Sequence, residues 1–158
     1  MRLDTLQTLS PIPVNVAPMT STPDLVPQLL GNVPPNLVQS IRAYRVLDLQ
    51  AEAAASNQHF LYAYLGEAET KTQVLATIGR AFHFQRAFGK NFEAMRDCLT
   101  ELTWKAGPQP GFIIVLEQLP NAPQFDREAR ETLLDVFRDA ADFWAEKKVA
   151  FRVFYSFQ

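Results

Sequence analysis

The sequence predicts an α/β fold in which a small, mostly parallel sheet is flanked by helices and preceded by an extended N-terminal arm. Strand and helix patterns alternate along the second part of the chain, as in layered α/β proteins. The run GFIIVLE is continuously apolar, which is typical of a strand covered on both faces in a parallel sheet. Seven of the eleven prolines lie between Pro11 and Pro35, where regular helices and central strands are therefore not expected.

These features divide the chain into a proline-rich extension, residues 1–38, and one domain, residues 39–158. The single cysteine, Cys98, excludes an internal disulfide and favours a reducing compartment, so we expect a cytoplasmic protein. The net charge of −2 does not indicate a nucleic-acid or membrane partner. No stretch approaches the roughly 20 apolar residues that span a bilayer.

The domain begins with the alternating run IRAYRVLDL, which predicts a first strand over residues 41–49. AEAAASNQ predicts a short helix or turn, and the aromatic run HFLYAYL predicts a second strand. Apolar residues at helical spacing in TKTQVLATIGRAFHF predict the next helix. Together these elements begin the expected alternation of strands and helices.

A second helix is predicted to start at Asn91, whose side chain can cap it. The buried strand GFIIVLE follows, and Asp126 is placed to cap a long helix whose apolar stripe includes Leu133, Val136 and Phe137. The chain ends in KKVAFRVFYSFQ, which predicts the last strand.

Few residues in this sequence suit enzyme chemistry. The two histidines, His59 and His83, and the thiol of Cys98 are interpreted as structural groups, since a reactive thiol needs an electropositive, exposed setting. No glycine-rich phosphate loop, zinc-ligand pair or H-E-x-x-H motif occurs. We therefore expect a protein that is not an enzyme, with no catalytic residues, no cofactor and no metal.

The acidic residues are the most informative feature. Glu93, Asp97 and Glu101 recur every four residues and so form one stripe on the helix after Asn91. The default interpretation of such a stripe is a helix face that is exposed to water. Like charges at this spacing nevertheless repel each other by roughly a few tenths of a kcal/mol per pair, which is small enough to be accidental and large enough to suggest a use. Binding of Mg²⁺ by Glu93 and Asp97 in a hydrolase is an alternative, although two carboxylates without a histidine make a poor metal site.

The segments FGKNFEAMRDCL, TELTW, GFIIVLE and LLDVFRDAADFW together resemble the barstar family, bacterial protein inhibitors of secreted ribonucleases. The resemblance covers about residues 60–158. It implies a three-stranded parallel sheet flanked by helices. It also implies that the acidic helix and its preceding loop block the positively charged active site of a ribonuclease, as an immunity protein or antitoxin does.

The resemblance assigns partner-binding roles along this helix and the last one. Asp97 matches the deepest anchor, Glu93 the acid one turn earlier and Asp139 the acid on the last helix. The remaining matches are the flanking polar residue, the loop glycine and two further motif positions: Thr100, Gly89, Phe88 and Asn91. The implied partner is a secreted or toxin-type ribonuclease, bound one to one by a chain that is a monomer when free.

Three positions depart from the family pattern. Ala87 stands where a stacking tyrosine is common, while Lys90 and Arg96 add positive charge beside the acids. These departures would weaken docking onto a standard cationic ribonuclease. They favour an alternative, a non-catalytic protein-binding module on the same fold with a partner other than a ribonuclease.

Overall fold

The structure is a computed structural model that describes residues 29–84, 91–102 and 107–158. The chain divides into two compact units, Met1–Val33 and Pro34–Gln158. In the described end of the first unit, the Val33 N–H donates to the Leu30 carbonyl at 3.0 Å. The second unit contains, in chain order, β1 (Asn36–Ser40), α1 (Val46–Ala55), β2 (His59–Tyr64), α2 (Lys71–Phe82), α3 (Phe92–Leu99), β3 (Gly111–Leu119), α4 (Arg127–Glu146) and β4 (Ala150–Phe157).

The strands form one parallel sheet in the order β1-β4-β3-β2. This arrangement confirms the predicted α/β class with a parallel sheet. The three-stranded sheet that the family resemblance implies is wrong, because β1 adds a fourth strand at the edge. β1 is fixed there by hydrogen bonds of its first residue, Asn36, and of the preceding Pro35. The Phe151 N–H donates to the Pro35 carbonyl at 2.8 Å, and the Asn36 amide donates to the carbonyls of Ala141 and Val149 at 3.0 and 2.9 Å.

The strand predicted over residues 41–49 is also wrong. β1 lies earlier, at Asn36–Ser40, and the chain turns at Arg42, which has a positive φ of 46°. The following residues form α1, which buries Leu49 and Ala53 one turn apart. Residues 36–38, assigned to the arm from the sequence, thus begin the sheet, while the division of the chain at residue 38 otherwise stays a prediction.

The helices cover the sheet from both sides. Because alternate residues of a strand point to opposite faces, neighbouring residues of β4 report which helix lies where. Val153 belongs to the main core cluster, to which α2, α3 and α4 contribute. Phe154 instead packs against Tyr44, just before α1, with ring centroids 5.4 Å apart. α3 and α4 therefore lie on one face and α1 on the other.

Most of the remaining elements occur where the sequence predicts them. α2 begins with a capping box in which Thr70 and Gln73 satisfy each other's backbone N–H groups. Asp126 caps α4 by accepting from the Ala129 N–H at 3.0 Å. In the described parts of the chain, no helix has the length and hydropathy needed to cross a membrane.

Candidate functional site: the acidic face of α3 and α4

α3 is a short helix that begins at a well-formed cap. Asn91 has extended backbone angles, and its side-chain Oδ1 accepts from the Ala94 N–H at 2.8 Å. Glu93 lies in the first turn, where the helix dipole favours an anion. The opposite side of the helix buries Met95 and Leu99 completely. Cap and core contacts together set the position and direction of this eight-residue helix.

The end of α3 is tied to α4 by a buried hydrogen bond. The Trp144 indole Nε1–H donates to the Leu99 carbonyl at 2.9 Å, which satisfies one of the carbonyls that a helix leaves unpaired in its last turn. The same indole packs against Phe112 of β3, with ring centroids 5.2 Å apart. Since both ends of α3 are held by hydrogen bonds, the backbone that carries its exposed side chains has a fixed position.

Asp97 lies on the solvent-exposed side of α3. Throughout the described residues, its carboxylate makes no hydrogen bond or ion pair. The neighbouring Thr100 hydroxyl, half-buried, donates to the Asp97 backbone carbonyl at 2.8 Å and not to the side chain. Asp97 therefore presents its charge to solvent.

Glu93 and Asp139 are brought together by Arg96. The Arg96 Nη1 lies 3.4 Å from Glu93 Oε2, and its Nε and Nη2 each lie 3.1 Å from Asp139 Oδ2. This bridge joins α3 to α4 across the surface. From the sequence, Arg96 is identified only as a positive charge that departs from the family pattern. The spacing of three residues from Glu93 could have indicated that ion pair, but no sequence signal pointed to the contact with Asp139.

The other predicted partner-binding residues are distributed as follows. Asn91 is the cap of α3, and Thr100 is the residue that ends it. Phe88 and Gly89 lie outside the described residues, as do Ala87 and Lys90. The part of the predicted site that the structure describes is thus the helix, together with Asp139 on α4. The binding roles of these residues stay predictions.

His59 and Cys98, two of the residues considered for enzyme chemistry, are partly or fully buried in the described structure. His59 is half-buried and packs edge-on against Phe112, with centroids 6.0 Å apart. Burial lowers the pKa of His59, and the nearby His83 lowers it further. Cys98 is buried. Within the described ranges, no three histidine, cysteine, aspartate or glutamate side chains gather closely enough to hold a metal ion.

The fold and this helix define a class of protein: a small parallel α/β domain that presents exposed acids on firmly anchored helices. A comparison with protein-family models matches residues 58–156 to Barstar, described as barnase inhibitor. The chain therefore belongs to the barstar family of ribonuclease inhibitors. Comparisons with curated proteins and with solved structures found no significant match.

Proposed function

We propose that this protein inhibits a cationic ribonuclease by covering the enzyme's active site with α3 and the loop before it. The observation that carries the proposal is the state of Asp97. Its carboxylate is exposed and has no partner among the described residues, on a helix capped by Asn91 and anchored by Trp144. Family membership supports the same function, since the family is described as an inhibitor of barnase.

The physical basis is charge complementarity. A ribonuclease must hold arginine, lysine or histidine side chains to bind RNA phosphates, so its empty cleft has a positive potential. Exposed acids on a fixed helix match that potential, speed the encounter and favour the correct register. Because α3 is already ordered in the free protein, little conformational entropy is lost on binding. An arginine of the enzyme can meet the Asp97 carboxylate through two hydrogen bonds.

We propose further that the partner is a secreted or toxin-type ribonuclease, bound one to one in the bacterial cytoplasm. An inhibitor of this kind protects the cell that makes the toxin, as an immunity protein or antitoxin. The protein itself carries out no reaction in this proposal. It acts only by occupying the cleft.

The test is an RNA-cleavage assay with a panel of basic microbial ribonucleases that includes barnase. Asp97→Ala should raise the inhibition constant about 10-fold or more, because it removes a charge-assisted hydrogen bond of about 1.5–3 kcal/mol. Asp48→Ala is the matched control, since it removes the same charge from exposed α1 on the opposite face of the sheet. Equal inhibition by wild type and Asp97→Ala would contradict the proposal.

A second candidate function follows from one observation. Arg96 offsets one of the two negative charges of Glu93 and Asp139, so the face is less anionic than the three carboxylates alone suggest. This favours a non-catalytic binding module with a partner other than a ribonuclease. In that case no ribonuclease of the panel is inhibited, while Asp97→Ala still abolishes binding to a purified partner that does not cleave RNA.

A further inference from the structure

We propose that Arg96 is a selectivity residue: it acts as the internal counter-ion of the acidic face and determines which cationic partners can dock there. The inference rests on the proposed function, because it concerns the same face. It goes beyond that function by identifying a residue of this chain that opposes binding to a generic cationic cleft.

The argument begins with the geometry of the bridge. Arg96 is the last-turn cation of α3, yet its guanidinium contacts an acid on each of two helices. Two of its N–H groups donate to these acids, Nη1 to Glu93 Oε2 at 3.4 Å and Nε to Asp139 Oδ2 at 3.1 Å, and Nη2 also lies 3.1 Å from Asp139 Oδ2. Of the three acids assigned to partner binding, two are therefore engaged within the free protein, and Asp97 is not.

The bridge also changes what a partner must do. Exposed ion pairs contribute little to stability, so a partner can displace Arg96 from these acids without unfolding the domain. After Arg96 is displaced, its positive charge still lies close to the arginine or lysine of the partner that now pairs with Glu93 and Asp139. Like charges placed against each other across an interface penalise the wrong partner. A cleft lined only by cations is therefore disfavoured at this point.

Arg96 remains accessible in spite of its two partners. Its side chain is 37% exposed. A guanidinium has five N–H donors, and two of them donate to the two acids, so donors remain for a hydrogen-bond acceptor from outside. A partner that brings such an acceptor avoids the penalty. Arg96 thus distinguishes clefts that carry an acceptor opposite it from those that carry only positive charge.

The experiment measures the association rate constant with barnase by stopped-flow fluorescence at low and high ionic strength. Arg96→Met should associate about three-fold faster than the control Arg138→Met at low salt, and the difference should disappear at about 1 M salt. Arg138 is a close match: it is 43% exposed and also pairs with two acids, Glu131 and Asp135, but only along its own helix. Arg96→Lys keeps the charge and should associate as slowly as the wild type.

Equal rates for Arg96→Met and Arg138→Met would overturn the inference, since both variants lose one positive charge. If Asp97→Ala nevertheless abolishes inhibition, the proposed function stands and only the selectivity role of Arg96 fails. If neither the wild type nor Arg96→Met binds barnase, the inference also fails, because it predicts that removing Arg96 makes a cationic cleft acceptable.

A second measurement needs no nuclease. The Arg96 Nε–H should exchange slowly with solvent in the NMR spectrum of the free protein, and Asp139→Ala, which removes its acceptor, should accelerate this exchange at least several-fold. Unchanged exchange in Asp139→Ala would mean that the bridge is absent in solution, and the inference would fail whatever the binding data show. Circular dichroism of each variant verifies that the comparison is made between folded proteins.

Discussion

The cap of α3 provides the sharpest test of how this short helix is held. Asn91→Ala removes the Oδ1 acceptor of the Ala94 N–H, a bond of 2.8 Å. The loss of such a cap costs about 1 kcal/mol, which lowers the melting temperature of a chain of this size by about 3 °C. An isolated helix of eight residues is not stable in water, so the cap and the packed face must both contribute to its stability.

Urea unfolding followed by circular dichroism gives the stability, and hydrogen exchange at Ala94 reports the helix itself. Asp126→Ala is the matched control because it removes the equivalent cap, 3.0 Å from the Ala129 N–H, from the 20-residue helix α4. Both variants should lose about 1 kcal/mol. Only Asn91→Ala should accelerate exchange at Ala94 and weaken inhibition, and Asn91→Ser should restore both. Unchanged exchange at Ala94 would refute this reasoning and leave packing as the only support of α3.

Two other predictions concern buried groups. Trp144→Phe should destabilise the protein by about 2–4 kcal/mol in urea unfolding, because it leaves the buried Leu99 carbonyl without its donor and removes part of a large side chain; a loss below about 1 kcal/mol would show that this bond does not anchor α3. Burial raises the pKa of Glu52 above its ordinary value of 4.5, against the opposing effect of Arg152. Since the folded protein binds the proton more tightly than the unfolded chain, wild-type stability should fall as pH rises from about 4.5 through that pKa. This fall amounts to about 1.4 kcal/mol in the free energy of unfolding for each unit by which the pKa of Glu52 differs between the folded and unfolded states. Glu52→Gln should lack the fall, and identical pH profiles for wild type and Glu52→Gln would contradict the prediction.

The fold could be predicted from the sequence wherever local patterns and tertiary contacts agree. β3 is a continuous apolar run because both of its faces are covered, and Asn91 and Asp126 cap their helices as their residue types indicate. The first strand could not be predicted in this way. β1 pairs with β4, more than 100 residues later in the chain, and it directly follows Pro34 and Pro35, in the proline-rich segment where a strand is not expected. The alternation in residues 41–49 matched a strand by coincidence.

The candidate site could be predicted in part. Residue types and helical spacing place Glu93 and Asp97 on the exposed side of α3, as the structure has them. The contact between Arg96 and Asp139 depends on how α3 and α4 cross, which no local pattern encodes. For this reason Arg96 could be recognised from the sequence as a departure, but its two ion pairs could not.

The bridge also explains how α3 tolerates two carboxylates four residues apart. Side chains three or four residues apart on a helix face each other, whereas adjacent ones do not, so Arg96 pairs with Glu93 while Asp97 is left out. Neutralising Glu93 reduces its repulsion of Asp97. Asp97 still stands in the second half of the helix, where the dipole disfavours an anion, and its carboxylate has no partner in the parts of the chain described. A residue that costs local stability and gains nothing within the domain is best accounted for by a cation supplied from outside, which is what the proposed ribonuclease provides.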